Sequence, residues 1–197
     1  MTGETPTVLV VDDERDLADL YAAWLADEYE VRMAYGGEEA IEEIDETVDV
    51  ALVDRLMPQT SGGEVVEHIR EEGYDCSISM VTAVEPDFDI VAMGFDDYLV
   101  KPVSREALEE AVSKLLLRDE YAEGVRELFS LASKKALLEA EKSVAELEGS
   151  NEYADLSARI EEYRDRLEEL RGELDRTADD LSERDFEVEL RQLNSDG

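Results

Sequence analysis

The sequence predicts an α/β domain with a doubly wound, five-stranded parallel sheet, followed by an all-α region. Short apolar runs alternate with amphipathic stretches from Thr7 to about Leu117. Near-continuous apolar runs separated by helical segments are typical of parallel strands that helices cover on both faces. After Arg118 no strand-like run occurs, proline is absent and glycine is sparse, so this part of the chain can form long helices.

Each predicted strand is a short run rich in apolar residues, and each is followed by an amphipathic stretch. The second run alternates polar and apolar residues, which is typical of a strand near the edge of a sheet. The predicted strands are Thr7–Val11, Glu30–Ala34, Val48–Val53, Ser77–Val81 and Tyr98–Val100. The predicted helices are Glu14–Asp27, Gly37–Ile44, Gly63–Glu71, Phe88–Met93 and Arg105–Leu117. Five consecutive βα units therefore make up this domain.

Residues 118–197 are predicted to form an acidic two-helix hairpin with its turn at Gly149–Asn151. The second helix carries apolar residues at heptad spacing, which is typical of a coiled-coil seam. Its seam positions are Leu156, Ile160, Tyr163, Leu167, Leu170, Leu174 and Leu181, with Thr177 in the remaining slot. The first helix is less regular, with one apolar stretch at Tyr121, Val125, Leu128 and Ala132 and another, out of phase, at Leu137, Ala140, Val144 and Leu147. The chain is therefore divided into residues 1–117 and 118–197.

The chain is strongly acidic, because 54 aspartates and glutamates against 19 lysines and arginines give a formal net charge of −35. Two interpretations compete. High charge often prevents a core from forming and produces disorder, whereas a folded protein of this charge suits a salt-rich cytoplasm, where salt screens its self-repulsion. The apolar periodicity favours the folded, halophilic alternative. The same charge disfavours non-specific DNA binding in dilute salt, since DNA phosphates need cationic partners.

A cytoplasmic location is expected. No stretch of about 18 apolar residues predicts a transmembrane helix, and residues Met1–Val11 lack the basic and apolar segments of a signal peptide. Cys76 is the only cysteine, so no intrachain disulfide can form, in keeping with a reducing compartment.

Polar residues suited to aspartyl-phosphate chemistry follow four of the predicted strands. Asp12 and Asp13 follow the first strand, Asp54 the third, Thr82 the fourth and Lys101 the fifth. Ligands of doubly wound sheets bind outside the carboxyl ends of the strands, so these residues are expected to converge there. Crowded carboxylates favour a hard divalent cation such as Mg²⁺, which leaves one carboxylate free as a nucleophile. The ammonium and hydroxyl groups can bind phosphoryl oxygens.

Four motifs resemble the receiver domain of two-component response regulators over residues 6–117. They are VLVVDDE (8–14), VDVALVDRLMP (48–58), SMVTA (79–83) and DDYLVKP (96–102). The resemblance implies a flavodoxin-like fold with strand order 2-1-3-4-5. It also implies that a sensor histidine kinase transfers a phosphoryl group to Asp54.

The resemblance further implies a role for each matching residue. Asp13 and Asp54 would bind Mg²⁺ together with the backbone carbonyl of Leu56, and Asp12 would assist. Thr82 and Tyr98 occupy the switch positions, and Lys101 contacts the phosphoryl group.

Two departures from the commoner receiver pattern affect the regions around the site. Thr82 and Lys101 are only 19 positions apart, which shortens the fourth helix. Many members of this family dimerise through the face of that helix, so a homodimer through the receiver is not favoured here, and a homodimer through the C-terminal helices is the alternative. Leu56 and Val84, which flank the phosphoryl site in this family, cannot hold a water by hydrogen bonding. Because hydrolysis of a phospho-aspartate needs a positioned water, we expect slow self-dephosphorylation.

The second region resembles the HalX-type C-terminal domain of haloarchaeal response regulators, and three outputs compete for it. The heptad seam favours dimerisation or docking of a partner protein. DNA contact is less favoured, because residues 118–197 hold 12 basic and 24 acidic residues and show no helix-turn-helix pattern. An enzymatic output is least favoured, because no phosphate loop, metal-ligand cluster or nucleophile–base pattern follows residue 117. The chain is therefore expected to be no enzyme beyond gaining and losing its own phosphoryl group.

Overall fold

Five parallel strands form one sheet with the order β2-β1-β3-β4-β5, which confirms the predicted α/β fold. The computed structural model describes residues 5–84, 86 and 88–195, and the side chains of residues 89, 92 and 178–195 lie outside that description. The strands are β1 (Thr7–Val11), β2 (Glu30–Ala34), β3 (Val50–Val53), β4 (Ser77–Thr82) and β5 (Asp97–Val100). Each strand in this order runs parallel to its neighbour.

Helices cover both faces of the sheet, which explains why its central strands β1 and β3 are buried and almost entirely apolar. In β1, Leu9 and Val11 pack into one buried cluster and Val8 and Val10 into the other. The helices are α1 (Arg15–Leu25), α2 (Gly37–Glu43), α3 (Gly62–Glu72), α4 (Arg105–Glu141), α5 (Val144–Glu148) and α6 (Asn151–Ser195). Within the described residues, none of these helices has the length and apolarity that crossing a membrane requires.

The crossover between β4 and β5 holds a short 3-10 helix, Phe88–Ala92, where the sequence predicted a helix at Phe88–Met93. Its Phe88 and Val91 are largely exposed. A segment of five residues can close only about one turn, so it covers far less of the sheet edge than a full crossover helix does.

The chain divides into two compact units, Met1–Leu116 and Leu117–Gly197. The predicted helix Arg105–Leu117 and the first helix of the predicted hairpin form one continuous helix, α4, which ends at Glu141. The chain then breaks before α5, where the Ser143 hydroxyl accepts a hydrogen bond from the backbone N–H of Glu146 while the Glu146 side chain accepts one from that of Ser143. This capping box stops the long helix and starts the next one.

In the second unit, α4 and α6 run antiparallel. Arg159 pairs with Glu127, and Arg166 pairs with Glu120, so residue numbers rise along one helix as they fall along the other. Apolar side chains fill the space between the helices. The buried ones are Leu131 of α4 and Ile160, Leu167 and Leu170 of α6.

The predicted seam of α6 faces α4 at every position whose side chain is described. The predicted seam of the first hairpin helix is wrong at five positions. Leu156, Tyr163, Leu174 and Thr177 are half-buried, and Leu181 lies outside the residues whose side chains are described. Val125, Ala132, Leu137, Ala140 and Val144 are exposed rather than buried in a seam.

Candidate functional site

The polar residues singled out in the sequence lie at the carboxyl ends of four strands. Asp12 follows β1, Asp54 follows β3, Thr82 ends β4 and Lys101 follows β5. Backbone hydrogen bonds continue the sheet past these ends, from Asp54 N–H to the Val11 carbonyl and from Lys101 N–H to the Thr82 carbonyl. Parallel strands thus deliver all four residues to one edge of the sheet.

Three carboxylates cluster at this edge. Asp12, Asp13 and Asp54 each offer one oxygen, and these oxygens all lie within 4.8 Å of one another. Asp12 and Asp54 are only 2% and 7% exposed, whereas Asp13 is exposed. Two buried carboxylates and one accessible carboxylate thus open towards solvent on one side, where an ion or a substrate can enter.

Lys101 joins the two buried carboxylates. Its Nζ donates to Asp12 Oδ2 at 2.6 Å and to Asp54 Oδ2 at 2.7 Å. Three carboxylates and one ammonium leave the cluster with two uncompensated negative charges. That charge and the all-oxygen donor set fit one divalent hard cation such as Mg²⁺.

Burial and pairing shift the ionisation of this cluster. Burial raises the pKa of Asp12 above its usual range, although the hydrogen bonds from Lys101 and from the Glu14 backbone oppose that change. Burial acts to lower the pKa of Lys101, but its hydrogen bonds to Asp12 and Asp54 outweigh burial and raise it. The lysine therefore stays charged, while the charged form of Asp12 is held at a cost that a bound cation would reduce.

Backbone N–H groups hold the second oxygen of each buried carboxylate. Asp12 Oδ1 accepts from the Glu14 N–H at 3.0 Å, and Asp54 Oδ1 accepts from the Leu56 N–H at 3.2 Å. The Leu56 side chain itself is exposed. Each carboxylate is therefore fixed from both sides, which orients Asp54 without help from a ligand.

Gly62, which the sequence did not single out, brings α3 against the end of β3, next to Asp54. A Cβ built on Gly62 would lie 2.1 Å from the Asp54 carbonyl oxygen and 3.0 Å from the Arg55 Cα. The Gly62 N–H also donates to the Arg55 carbonyl at 3.1 Å. The only local signal is the capping motif Ser61-Gly62-Gly63-Glu64, in which Ser61 and Glu64 cap one another and start α3 here.

Thr82, Val84 and Tyr98 form a connected group beside the carboxylates. Thr82 is buried, and its Oγ1 accepts from the Val84 N–H at 3.4 Å. The Tyr98 hydroxyl donates to the Val84 carbonyl at 2.7 Å, and its half-buried ring packs against Phe95. The two predicted switch residues, Thr82 and Tyr98, therefore share the Val84 peptide unit as a hydrogen-bond partner.

Each of the two parts of the chain matches a known domain family. The response regulator receiver domain matches residues 8–113, and the HalX domain matches residues 117–169. A "Putative transcriptional regulator" of Haloferax volcanii is 52% identical to this chain over 158 residues. That match covers 80% of this chain but only 27% of the relative, so the chain spans about a quarter of the relative's length.

Solved structures show the same receiver fold. The response regulator TrrA from Thermotoga maritima, in complex with Mg²⁺-BeF, is 36% identical, with a TM-score of 0.50. The match covers 56% of this chain and 99% of that one. A CheY-like receiver domain protein from Methanospirillum hungatei is 26% identical, with a TM-score of 0.54, over 59% of this chain and 98% of that one. Both matches span about the length of the sheet domain.

Proposed function

The chain belongs to the response regulator receiver family, and from that premise we propose that Asp54 accepts a phosphoryl group from the phosphohistidine of a sensor histidine kinase. One observation carries this proposal. The Lys101 ammonium bridges the buried carboxylates of Asp12 and Asp54, and Asp13 lies beside them. A buried nucleophile, an acidic cation site and a fixed cation for phosphoryl oxygens therefore meet at one point, which suits transfer to a carboxylate.

In the proposed transfer, an oxygen of Asp54 attacks the phosphorus atom of the phosphohistidine. A P–O bond forms to the carboxylate, the P–N bond breaks, and the bonding pair leaves with the imidazole nitrogen. The Leu56 N–H keeps the other carboxylate oxygen oriented. Lys101 then exchanges its contact with Asp54 for a phosphoryl oxygen while retaining Asp12.

Mg²⁺ is the proposed cofactor, held by Asp12, Asp13, Asp54 and the backbone carbonyl of Leu56. When bound, it supplies positive charge that neutralises the phosphoryl oxygens and the crowded carboxylates. The uncompensated charge of the cluster, two negative units, supports one divalent ion. Because Asp13 is the exposed member, its loss is expected to weaken cation binding without disturbing the buried pair.

Signal relay is proposed to run through the Val84 peptide. A phosphoryl oxygen that draws the Thr82 hydroxyl would disturb the hydrogen bond between that hydroxyl and the Val84 N–H. The carbonyl of Val84 holds the Tyr98 hydroxyl, so a shift of this segment would release or reorient Tyr98. Phosphorylation then acts as a local charge change that biases a two-state element.

The output is proposed to pass through the helical domain by dimerisation or by docking a partner protein, in the cytoplasm. The chain would catalyse nothing beyond its own phosphorylation and dephosphorylation. An alternative output is transcription control through DNA contact by the C-terminal helices, which the name of the Haloferax relative favours. Fluorescence anisotropy with duplex DNA in molar KCl distinguishes the two. DNA binding that persists in molar KCl would support transcription control through the C-terminal helices. Loss of DNA binding in molar KCl would show only salt-sensitive contacts with DNA phosphates and would favour the protein–protein output.

The decisive experiment for the site is phosphorylation of the purified chain in molar KCl with acetyl phosphate, with and without Mg²⁺, followed by intact mass measurement. We expect one phosphoryl group, dependent on Mg²⁺, and none on Asp54→Asn. The matched control is Asp155→Asn, which neutralises an exposed carboxylate of α6 and should be labelled like the wild type. Labelling of Asp54→Asn to the wild-type extent, or labelling of the wild type that ignores Mg²⁺, would contradict the proposal.

A further inference from the structure

Helix α4 carries a second apolar surface, which points away from its partner α6. In residues 118–141 of α4, the part that packs against α6, nine residues lie within about 60° of Phe129 around the helix axis. We call this surface the acid-free face. Its residues are Arg118, Ala122, Val125, Arg126, Phe129, Ala132, Ser133, Ala136 and Ala140. All nine are exposed, and Phe129 is 75% exposed.

The composition of this face is unusual for so acidic a chain. None of the nine described residues is an aspartate or glutamate, although the chain holds 54 acids in 197 residues. Ser133, the one hydroxyl among them, donates to the Phe129 carbonyl at 2.9 Å within the helix, so it can be buried without losing its partner. A face that excludes acids in this protein is a surface where another acidic molecule can approach without charge repulsion.

The spacing of the face fits another helix. Its central positions, Ala122, Val125, Phe129, Ala132 and Ala136, follow one another at intervals of three and four residues, the pattern of a helix-packing seam. The inner side of α4 is already used, because Leu131 is buried there and Gly124 lies against Leu167 of α6. The acid-free face is therefore a separate seam whose partner must come from outside this helix pair.

We propose that the acid-free face binds the same face of a second copy of this chain, antiparallel, with the two-fold axis at Phe129. In that arrangement Ala122 lies opposite Ala136 of the second copy, small against small, and the two Phe129 rings meet at the axis. Arg118 lies opposite Ala140 of the second copy, and Glu139 of that copy borders the face, about 80° from Phe129 around the helix axis. A parallel pair would instead place Arg118 on Arg118 and Arg126 on Arg126.

This self-complementarity is what selects a second copy as the partner. A two-fold dimer uses one patch twice, so the patch must carry opposite charges at its two ends and its largest side chain near the axis. The acid-free face has Arg118 at one end, Glu139 beside the other and Phe129 at the centre. It extends about 33 Å along the helix, so the interface is small and the association is expected to be weak.

Salt decides when the two copies can meet. Each carries a net charge of −35, so they repel in dilute buffer, whereas in 1 M salt the screening length falls to about 3 Å. Dimerisation should therefore appear only at high salt. The inference deepens the output proposed above by naming its partner and surface, and it involves no step of phosphoryl transfer. Its test uses the unphosphorylated chain, so failure here leaves the proposal for Asp54 intact.

The first test is sedimentation equilibrium of the full chain in molar KCl. We expect a reversible dimer whose Kd rises by about thirtyfold or more in Phe129→Glu, the effect of losing an aromatic anchor at the centre of an interface. Val144→Glu is the matched control, since Val144 is 71% exposed, lies outside α4 and gains the same charge, and it should leave Kd unchanged. A wild type that stays monomeric at high concentration, or a Phe129→Glu variant that dimerises normally, would overturn the proposal.

The second test is disulfide trapping, which reports orientation and is practicable because Cys76, the only native cysteine, is buried. Packed helices lie about 8–10 Å apart, which brings facing Cα atoms into disulfide range. Phe129→Cys should therefore cross-link two copies in molar KCl. Ala122→Cys should not, because in the antiparallel pair the two substituted positions are about 21 Å apart along the axis. Efficient cross-linking of Ala122→Cys would show a parallel pair and overturn the proposed arrangement.

Discussion

Replacing Gly62 by alanine tests how closely α3 must approach Asp54, the proposed phosphoacceptor. The new Cβ would lie 2.1 Å from the Asp54 carbonyl oxygen and 2.9 Å from its carbonyl carbon, whereas ordinary contact begins at 3.4 Å. The helix or Asp54 must therefore move by about 1.3 Å to accept one methyl group. Because the atoms in the way belong to the backbone, no side chain can rotate to make room.

The magnitude follows from that displacement. Overpacking a well-filled site typically costs about 1–3 kcal/mol, so we expect Gly62→Ala to lower the free energy of unfolding by about 2–3 kcal/mol. Misplacing a reacting group by about 1 Å can slow a reaction by about a hundredfold. Phosphorylation of Asp54 by acetyl phosphate should therefore slow by about that factor in the fraction of Gly62→Ala that remains folded.

The neighbouring glycine supplies the control. A Cβ on Gly63 would find its nearest neighbour, Ser61 Oγ, at 3.8 Å. Gly63→Ala should therefore be neutral or should stabilise the protein by about 0.5–1 kcal/mol, through the lower entropy of its unfolded chain. Both variants can be compared by urea unfolding in molar KCl, because urea is uncharged and leaves the salt fixed. If Gly62→Ala unfolds within about 0.5 kcal/mol of Gly63→Ala, the close approach does not constrain the site and the reasoning is wrong.

Four further substitutions test the electrostatics of the site, the lifetime of its phosphoryl group and the capping of α3. Lys101→Ala leaves two buried carboxylates without their ammonium, so the urea stability in EDTA should fall by about 3 kcal/mol and recover in part with Mg²⁺. Val84→Glu should shorten the lifetime of the phosphoryl group on Asp54, because a carboxylate can hold the attacking water, and an unchanged decay in a phosphate-release assay would contradict this. Ser61→Ala should cost about 1 kcal/mol of urea stability by removing the cap of α3. Hydrogen bonds from the Ser61 backbone and hydroxyl lower the pKa of Glu64 from its usual 4.5. The stability that the ionised Glu64 adds to the folded chain is therefore present above pH 4.5 and is lost as the pH falls through the lowered pKa. Glu64→Gln should abolish this pH dependence of the urea stability.

The strand-end residues could be predicted because the sheet geometry leaves little choice. The run before Asp54 forms the buried strand β3 and the run before Lys101 forms the half-buried strand β5, and each strand places the residue that follows it at the carboxyl edge of the sheet. The partners at that edge could not be predicted in the same way. Lys101 was predicted to contact the phosphoryl group, and the structure shows which groups hold it in the absence of that group, namely Asp12 and Asp54.

Gly62 escaped prediction because its constraint is not local. A glycine at the start of a helix is common beside a serine cap, and nothing in the sequence says that the Asp54 carbonyl lies 2.1 Å from its missing Cβ. The end of α4 at Glu141 was not predicted, for a different reason. The Ser143–Glu146 capping box that interrupts the helical hairpin is visible in the sequence, but a Gly-Ser-Asn break a few residues later is the stronger turn signal.

The seam of α4 was misassigned because that helix carries two apolar stripes. The predicted positions Tyr121 and Leu128 belong to the inner stripe, whereas Val125 and Ala132 belong to the acid-free face. The two stripes are one residue out of phase, so a search for a single heptad moves from one to the other. Periodicity alone cannot separate them, because it records that a helix has apolar faces and not which neighbour covers each one.

Salt should affect the proposed dimer face but not the ion pairs of the phosphorylation site, and the reason is burial. The contacts of Lys101 at 2.6 Å and 2.7 Å are buried, so mobile ions cannot enter between the charges and the pair should persist from dilute to molar salt. The acid-free face is exposed, and two copies can meet on it only once salt screens the 35 net negative charges of each chain. Phosphorylation of Asp54 should therefore vary little with KCl wherever the chain remains folded, whereas dimerisation should rise steeply. If phosphorylation of Asp54 and dimerisation rose together with KCl concentration, salt would be acting through folding of the chain and not through the acid-free face.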